Sequence, residues 1–213
     1  DLAGKGRSIS GKEGDYSDRG YFKEVLSTRR SYVADPVISK STGESVVVFA
    51  VPIVEGPELR GILMATMRTK DLAAFAASMR WAKTGYAFIV DRKGLIAAHP
   101  NAELVGKLNL AEAGEKVPPQ LAEAVRSALG GSAAVRLYPF DGEDTMGAFV
   151  PIRSTGWCLV LWAPLSEVLA PVRALRVLVL SSLVLLSLLV LAASVWMGNS
   201  MSRPIAAVVE GMG

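Results

Sequence analysis

The strongest feature of the hydrophobic pattern is an uncharged run from Val177 to Met197, near the C-terminal end of the sequence. A helix of that length rises about 1.5 Å per residue and spans about 31 Å, which matches the roughly 30 Å hydrocarbon core of a bilayer. Trp196 lies at one end of the run, where an indole favours the membrane interface. The flanking basic residues are Arg173, Arg176 and Arg203. Because a soluble helix this long is rarely apolar on every face, the pattern predicts a transmembrane helix over residues 177–197.

Residues 1–69 contain apolar stretches of strand length separated by turn residues. They predict one helix, capped by Ser17, and then three strands, in the order Asp18–Leu26, Ser31–Ile38, Ser45–Val54 and Leu59–Arg68. The segment from Val46 to Val51 is apolar on both faces of the predicted strand. We therefore expect it to be the central strand of its sheet.

A second strand-rich stretch, residues 80–164, follows a predicted connecting helix at residues 70–79. Its predicted elements are strands at Tyr86–Val90 and Leu95–Ala98, an amphipathic helix at Pro119–Leu129, and strands near 133–139, 145–152 and 157–163. A further helix, from Pro164 to Leu175, is predicted to lead into the apolar run. Elements in this order, with short turns between successive strands, predict an α+β fold with antiparallel sheets.

Composition limits the chemistry that the chain can support. The formal net charge is +3 and the pI is about 9.1, too small a basic excess to predict nucleic-acid binding. A lone Cys158 cannot form an intramolecular disulfide, and a lone His99 does not provide a zinc site. Because the sequence has no phosphate loop, nucleophile elbow or metal-ligand cluster, we predict no catalytic site, no metal and no cofactor. His99 precedes Pro100, and we interpret it as a turn cap rather than a catalytic base or pH switch.

The two ends of the chain indicate a piece of a longer protein. Residue 1 is Asp rather than Met, no signal-peptide pattern follows it, and the last residues stop within a predicted helix. The local charges alone would weakly place the N-terminal side of the apolar run inside the cell, since Arg173 and Arg176 precede it and only Arg203 follows.

Several short motifs follow one another along the chain. They are Asp18-Arg19-Gly20-Tyr21-Phe22, Tyr32-Val33-Ala34-Asp35-Pro36-Val37, Val51-Pro52-Ile53, Thr84-Gly85-Tyr86-Ala87-Phe88-Ile89-Val90-Asp91 and Ala98-His99-Pro100-Asn101. In this order they resemble a double Cache sensor, which is a pair of PAS-like domains found in bacterial chemoreceptors and sensor kinases. After the apolar run, Met201-Ser202-Arg203-Pro204-Ile205 resembles the start of a HAMP linker.

The resemblance implies an organisation of the whole chain. Its parts would be the later portion of a membrane-distal Cache module (1–69), a connecting helix (70–79), a membrane-proximal Cache module (80–164), a helix leading to the membrane (165–176), the transmembrane helix (177–197) and the start of a HAMP linker (198–213). It places the modules outside the bacterial cytoplasmic membrane and the linker inside, which overrides the weak charge count. It also implies a homodimer, cytoplasmic signalling partners, and preceding chain that completes the distal module.

The residues that we expect to bind a ligand are Arg19, Tyr21, Phe22, Tyr32 and Asp35. Arg19 lies at a predicted helix start, where free N–H groups favour an anion, and its planar guanidinium matches a carboxylate. Tyr21 and Phe22 would form an aromatic wall. Tyr32 could donate a hydrogen bond and Asp35 could accept one from an ammonium group. This set predicts a small organic acid or amino acid as the ligand.

Two observations leave the ligand and its site open. The residues alone also permit Arg19 to pair with Asp18 or Glu24 at the surface, with the two neighbouring aromatics simply in the core. Amino-acid-binding members of the resembled family carry an Asp late in the distal module, and Thr66 occupies that place here. A plain organic acid, which needs no ammonium partner, therefore fits at least as well as an amino acid.

The function implied is extracytoplasmic ligand sensing and transmembrane signal transduction by a chemotaxis receptor. One alternative is the sensor region of a histidine kinase or a cyclic-dinucleotide synthase, which would differ only beyond Gly213. A second alternative is a membrane-anchored binding protein without signalling output, against which the HAMP-like Arg203-Pro204-Ile205 argues.

Overall fold

A computed structural model describes the backbone of residues 1–8, 11, 13–140 and 142–210, and the side chains of these residues as far as Met197. The chain divides into two compact units, Asp1–Val168 and Leu169–Gly213. The first unit contains both strand-rich stretches, and the second contains the apolar helix.

The first strand-rich stretch, which we call the distal module after its expected position, has a small hairpin, one helix and a four-stranded antiparallel sheet. Its elements are β1 (Lys5–Arg7), β2 (Glu13–Asp15), α1 (Gly20–Thr28), β3 (Tyr32–Val33), β4 (Val37–Ile38), β5 (Ser45–Glu55) and β6 (Glu58–Arg68). β3, β4 and β6 all pair with β5, which confirms the predicted central strand.

The predicted strand Ser31–Ile38 is interrupted, so β3 and β4 are separate short strands. Their pairing with β5 shifts by one residue between Val33 and Val37, which places an extra residue on this side of the ladder. Pro36 lies in the interruption and has no N–H to donate to a neighbouring strand. Irregularities of this kind redirect side chains, and this one carries Asp35.

The first helix begins at Gly20, later than predicted. Arg19 occupies the N-cap position and its side chain makes no capping hydrogen bond. Ser17, the predicted cap, instead bonds to the Asp15 carboxylate through its N–H at 2.9 Å and its hydroxyl at 2.6 Å. The predicted cap is therefore wrong, because Ser and Asp side chains also bond readily to groups in a local turn.

The second strand-rich stretch, which we call the proximal module after its expected position, has a five-stranded antiparallel sheet in the order β8-β7-β11-β10-β9. Its elements are α2 (Thr69–Ser78), β7 (Tyr86–Val90), β8 (Ile96–Ala98), a 3₁₀ turn (Ala102–Leu104), α3 (Pro119–Leu129), β9 (Ala134–Phe140), β10 (Glu143–Ile152), β11 (Trp157–Pro164) and α4 (Leu165–Val168). The arrangement confirms the predicted α+β class with antiparallel sheets. The predicted helix from Pro164 to Leu175 is divided, because α4 ends at Val168.

Hydrophobic clusters cover both faces of the proximal sheet. On one face α3 packs through Leu121 and Val125, and Trp162 lies beside this cluster. On the other face α2 packs near the buried Trp157, and Val47 of β5 joins the same cluster. The two tryptophans therefore lie on opposite faces of β11, and the second cluster connects the two modules.

The second unit is the long helix α5 (Ala170–Glu210). Within its segment Ala170–Met197 an 18-residue stretch has a mean hydropathy of 2.6, and among the described residues this is the one helix long and apolar enough to cross a membrane. The predicted span 177–197 lies within it. In the HAMP-like segment 198–213 the backbone is helical as far as Glu210, whereas its side chains and residues 211–213 lie outside the described part of the chain.

Candidate functional site

Arg19 lies where α1 meets β4. Its Nη2 donates to the backbone oxygen of Ile38 at 3.1 Å, and its Nε is buried without a hydrogen-bond partner. Within the described side chains Arg19 forms no salt bridge, and the Asp18 carboxylate bonds to Lys40 at 2.7 Å instead. The surface pairing with Asp18 or Glu24 is therefore not formed, and the guanidinium retains donors for an anionic partner.

Tyr21 and Phe22 are buried on α1 and pack with Val25 against the distal sheet. Burial raises the pKa of the Tyr21 hydroxyl, and the positive charge of Arg19 opposes this rise. The packing agrees with the interpretation that both rings belong to the core. Their role as a wall of a ligand pocket stays a prediction.

Tyr32 and Asp35 contact the membrane-proximal module. Arg92 Nη1 donates to Asp35 Oδ1 at 2.9 Å and to the Tyr32 hydroxyl at 3.3 Å, and Arg92 Nη2 donates to the backbone oxygen of Val33 at 2.8 Å. The guanidinium also lies over the Tyr32 ring, 4.7 Å from its centroid, in cation–π geometry. Trp157 Nε1 donates to the same Asp35 Oδ1 at 2.8 Å. We call Tyr32, Asp35, Arg92 and Trp157 the Asp35 cluster.

The proximal half of the Asp35 cluster is fixed by a tight turn and a strand end. Arg92 lies in the turn between β7 and β8, and Trp157 is the first residue of β11. The buried Asp91 holds this turn, because its Oδ1 accepts from the backbone N–H of Lys93 at 2.8 Å and of Leu95 at 3.0 Å. Burial raises the pKa of Asp91, and the two N–H donors oppose the rise. The turn therefore presents Arg92 from a well-defined backbone.

An open cleft of about 460 Å³ lies elsewhere on the distal module, between α1 and the β5–β6 turn. Its lining residues are Leu2, Leu26, Arg29, Pro57, Glu58, Leu59 and Arg60. Arg29 ends α1 with a left-handed φ of 53° and donates to the Pro57 oxygen at 2.9 Å. Arg60 is paired with Glu55 and Glu58. None of the five predicted ligand residues lines this cleft.

A second, small cavity of about 30 Å³ lies within the proximal module, beside His99 and Trp162. A space of this size holds one or two water molecules. The Trp162 indole N–H is buried without a protein partner. His99 Nδ1 accepts from the backbone N–H of Asn101 at 2.9 Å, as expected for a turn cap, and burial lowers the pKa of His99.

The structure therefore separates the five predicted ligand residues into two groups. Arg19, Tyr21 and Phe22 are grouped on α1, while Tyr32 and Asp35 meet at the boundary between the modules. Sequence reasoning missed the residues that complete the second group, Arg92 and Trp157. Arg92 lies in a hairpin turn and Trp157 begins a strand, so nothing local in the sequence indicated that both side chains would reach Asp35.

A family model for the Cache domain matches residues 3–172, which cover both modules. The chain belongs to the Cache domain family. Cache domains of this kind are sensor domains rather than catalytic ones. Within the described residues, no cluster of three or more His, Cys, Asp or Glu side chains could hold a metal ion.

Known proteins similar to this Cache chain include a chemotaxis receptor and sensor regions. The chain is 28% identical over 136 residues to the methyl-accepting chemotaxis protein PscA of Pseudomonas syringae pv. tomato, covering 63% of this chain and 22% of that protein. It therefore spans about a fifth of that receptor's length. The extracellular domain of mmHK1S-Z3, a protein assigned as a histidine kinase, has the same fold, with a TM-score of 0.66, 23% identity, and coverage of 78% and 62% of the two chains.

A third similar protein was solved with an amino acid bound. It is the ligand-binding domain of the Pseudomonas fluorescens chemoreceptor CtaA in complex with L-isoleucine. Its TM-score is 0.60 at 21% identity, and the match covers 77% of this chain and 69% of that domain. At this identity the likeness establishes the shared Cache fold. The ligand of this chain has to be inferred from this chain's own residues.

Proposed function

We propose that this chain is the sensing and membrane-crossing part of a bacterial chemotaxis receptor that responds to a small carboxylate or amino acid. The observation that carries the proposal is the order of the parts. A Cache match over residues 3–172 leads directly into an apolar helix of membrane-spanning length, Ala170–Met197. A sensor joined to a membrane helix is the arrangement that a transmembrane receptor requires.

The proposal includes the remaining parts of the receptor. The two modules lie outside the bacterial cytoplasmic membrane, residues 198–213 begin a HAMP linker inside it, and the receptor acts as a homodimer. Cytoplasmic signalling partners are contacted by chain beyond Gly213. A reporter enzyme fused after Gly213 tests the orientation: activity of a cytoplasmic reporter is expected, and activity of a periplasmic reporter alone would overturn it.

For the ligand, we propose that Arg19 binds a carboxylate at the start of α1. Arg19 is the one predicted ligand residue with a buried donor that the protein leaves unused. Thr66 lies opposite Val48 in the distal sheet, on the face that packs against α1, and it carries no charge for an ammonium group. The site as described therefore favours a plain organic acid over an amino acid, which would need a further acidic partner.

Replacing Arg19 tests this assignment. With the full-length receptor in detergent micelles, a calorimetric screen of short organic acids and amino acids identifies the ligand. Arg19→Ala is then expected to weaken binding by about 1.5–3 kcal/mol, the scale of a hydrogen bond to a charged group, or roughly tenfold to 150-fold in Kd. Arg19→Lys should restore only part of the affinity, because an ammonium lacks the planar fork.

The matched control is Arg30→Ala, which removes the same charge from an exposed position on the same module. Its affinity is expected to equal that of the unmodified chain. If Arg19→Ala also keeps full affinity while its circular dichroism stays native, Arg19 is structural and the proposed site is wrong.

The second candidate function is the sensor region of a histidine kinase, which the likeness to mmHK1S-Z3 favours. The two functions use the same sensor and differ in the output region. Sequencing the gene beyond Gly213 separates them, since a chemotaxis receptor continues as long heptad helices and a kinase continues with a phosphoacceptor histidine and its catalytic domain.

A further inference from the structure

The Asp35 cluster joins the two modules through donors that converge on one carboxylate. Asp35 Oδ1 accepts from Arg92 Nη1 at 2.9 Å and from Trp157 Nε1 at 2.8 Å. The side chains of Arg92 and Asp35 are 29% and 23% exposed, so water screens this ion pair only in part. Because Trp157 is buried, its N–H depends on Asp35 for a partner. A shift of Asp35 would therefore lengthen or break the hydrogen bonds that it accepts from Arg92 and Trp157 of the proximal module.

Asp35 lies in the same short segment that contacts the proposed ligand residue. Arg19 Nη2 holds the Ile38 oxygen on β4, at the far end of the interruption between β3 and β4. The segment 35–38 thus has one end bound to Arg19 and the other bound to Arg92 and Trp157. The interruption leaves Asp35 and Pro36 outside the β3–β5 and β4–β5 pairs, so this short segment connects Arg19 to the Asp35 cluster without a continuous ladder.

The receiving strand, β11, leads out of the module. It runs for eight residues from Trp157 to Pro164, or about 25 Å at about 3.3 Å per residue. It pairs with β7 on one edge and β10 on the other, so it lies within the sheet rather than at its margin. Helix α4 begins at the next residue, Leu165. The strand that Asp35 contacts is therefore the strand from which the chain continues towards the apolar helix.

We propose that the Asp35 cluster is the coupling point through which the membrane-distal module acts on β11, with Arg92 and Trp157 as positioning residues on the proximal side. This coupling rests on the proposed sensor function, because it transmits a signal only if the distal module binds a ligand. Ligand contact at Arg19 changes the position of the 35–38 segment, and Asp35 passes that change to Trp157. Coupling is reciprocal, so changes at Arg92 also alter the 35–38 segment.

Hydrogen exchange measured by mass spectrometry on the intact chain in detergent micelles tests the coupling without a ligand. Asp35→Ala is expected to speed exchange of the β11 amides about fivefold or more, the lower end of common coupling strengths. Trp157→Phe keeps an aromatic ring in the cluster and removes the N–H together with part of the indole, and it should give a smaller rise in the same strand. Arg92→Ala should speed exchange in residues 32–38.

The matched control is Asp18→Ala, which breaks the Lys40 pair in the same module and should leave β11 unchanged. Unchanged β11 exchange in both Asp35→Ala and Trp157→Phe overturns the proposal. An equal rise in the outer strand β9 also overturns it, because that pattern reports a general loss of stability. If Asp35→Ala does not fold, the exchange of the β11 amides in Trp157→Phe alone decides whether the proposal stands. A receptor that binds no ligand would refute the sensor function, whereas this measurement addresses the coupling alone.

Discussion

The two modules of this Cache chain bury their sheets to different degrees. In the proximal module α3 packs on one face and α2 on the other, so both faces of the central strands are covered. In the distal module α1 covers one face of the sheet. On the other face Val47 is buried against the proximal module, while Phe49, Val51 and Ile53 of β5 and Leu63 of β6 are exposed. Burial of apolar surface is the main source of folding free energy. Within residues 1–168 the proximal module therefore buries more of its apolar surface, and we expect it to be the more stable of the two modules.

The largest effect is expected from opening the proximal core. Phe149 on β10 is fully buried at 0% exposure, and Phe149→Ala should lower the free energy of unfolding by about 3–5 kcal/mol, the usual cost of a large cavity. Denaturant unfolding of the chain in detergent measures it. Phe75→Ala is the control, because Phe75 on α2 is 64% exposed and its loss should change stability by less than about 0.5 kcal/mol. Equal losses in the two variants would contradict the assigned core.

A matched pair of valines compares the modules directly. Val25 on α1 and Val125 on α3 are both fully buried and both face a sheet. Each valine-to-alanine change removes two methyl groups, or about 1.6 kcal/mol of transfer free energy before any cavity cost. We expect Val125→Ala to cost more, about 2–3 kcal/mol, because the larger proximal cluster collapses less readily around the space. If Val25→Ala is the more destabilising of the two, the distal module is the stable one and the comparison is reversed.

The sequence was sufficient for the elements whose pattern is strong. The helix over the uncharged run at 177–197, the central strand β5 and the strands of the proximal module were all predicted with the right type and order, because burial sets the pattern of apolar positions along a chain. The predictions from sequence were wrong where a local interaction overrides the general structural preference of a residue type. Ser17 bonds to Asp15 instead of capping α1, and the strand through Pro36 is broken.

The candidate site was harder to predict because its members come from distant parts of the chain. Asp35 and Trp157 are 122 residues apart in sequence and bond at 2.8 Å in the fold. No periodicity or short motif encodes such a contact, since it depends on how two modules pack. The motif around Arg19 is local, so it could be recognised, but its use of the Ile38 oxygen depends on where β4 ends.

The smallest effect is expected where the proximal module ends, at Glu167 on α4. Its carboxylate accepts from the backbone N–H groups of Lys83 and Thr84 at 2.8 and 2.9 Å, and from the Thr84 hydroxyl at 2.8 Å. These bonds, chiefly the Thr84 N–H, lower the pKa of Glu167 from its ordinary value of 4.5. Glu167→Gln keeps one acceptor oxygen and loses the charge, so it should lower the Tm at pH 7 by less than either core variant does.

The pH dependence of this small effect distinguishes Glu167 from a general surface change. Because the folded-state pKa lies below the unfolded-state value, the carboxylate stabilises the fold fully above about pH 4.5 and loses that contribution as the pH falls through the lower, folded-state pKa. The Tm difference between the unmodified chain and Glu167→Gln should therefore be constant near neutrality and shrink below pH 4.5. Glu123→Gln, the same change at an exposed position on α3, is the control, and its Tm at pH 7 should equal that of the unmodified chain. A Glu167→Gln difference that persists unchanged in acid would mean that α4 is held by packing, and that its carboxylate does not fix it to the loop before β7.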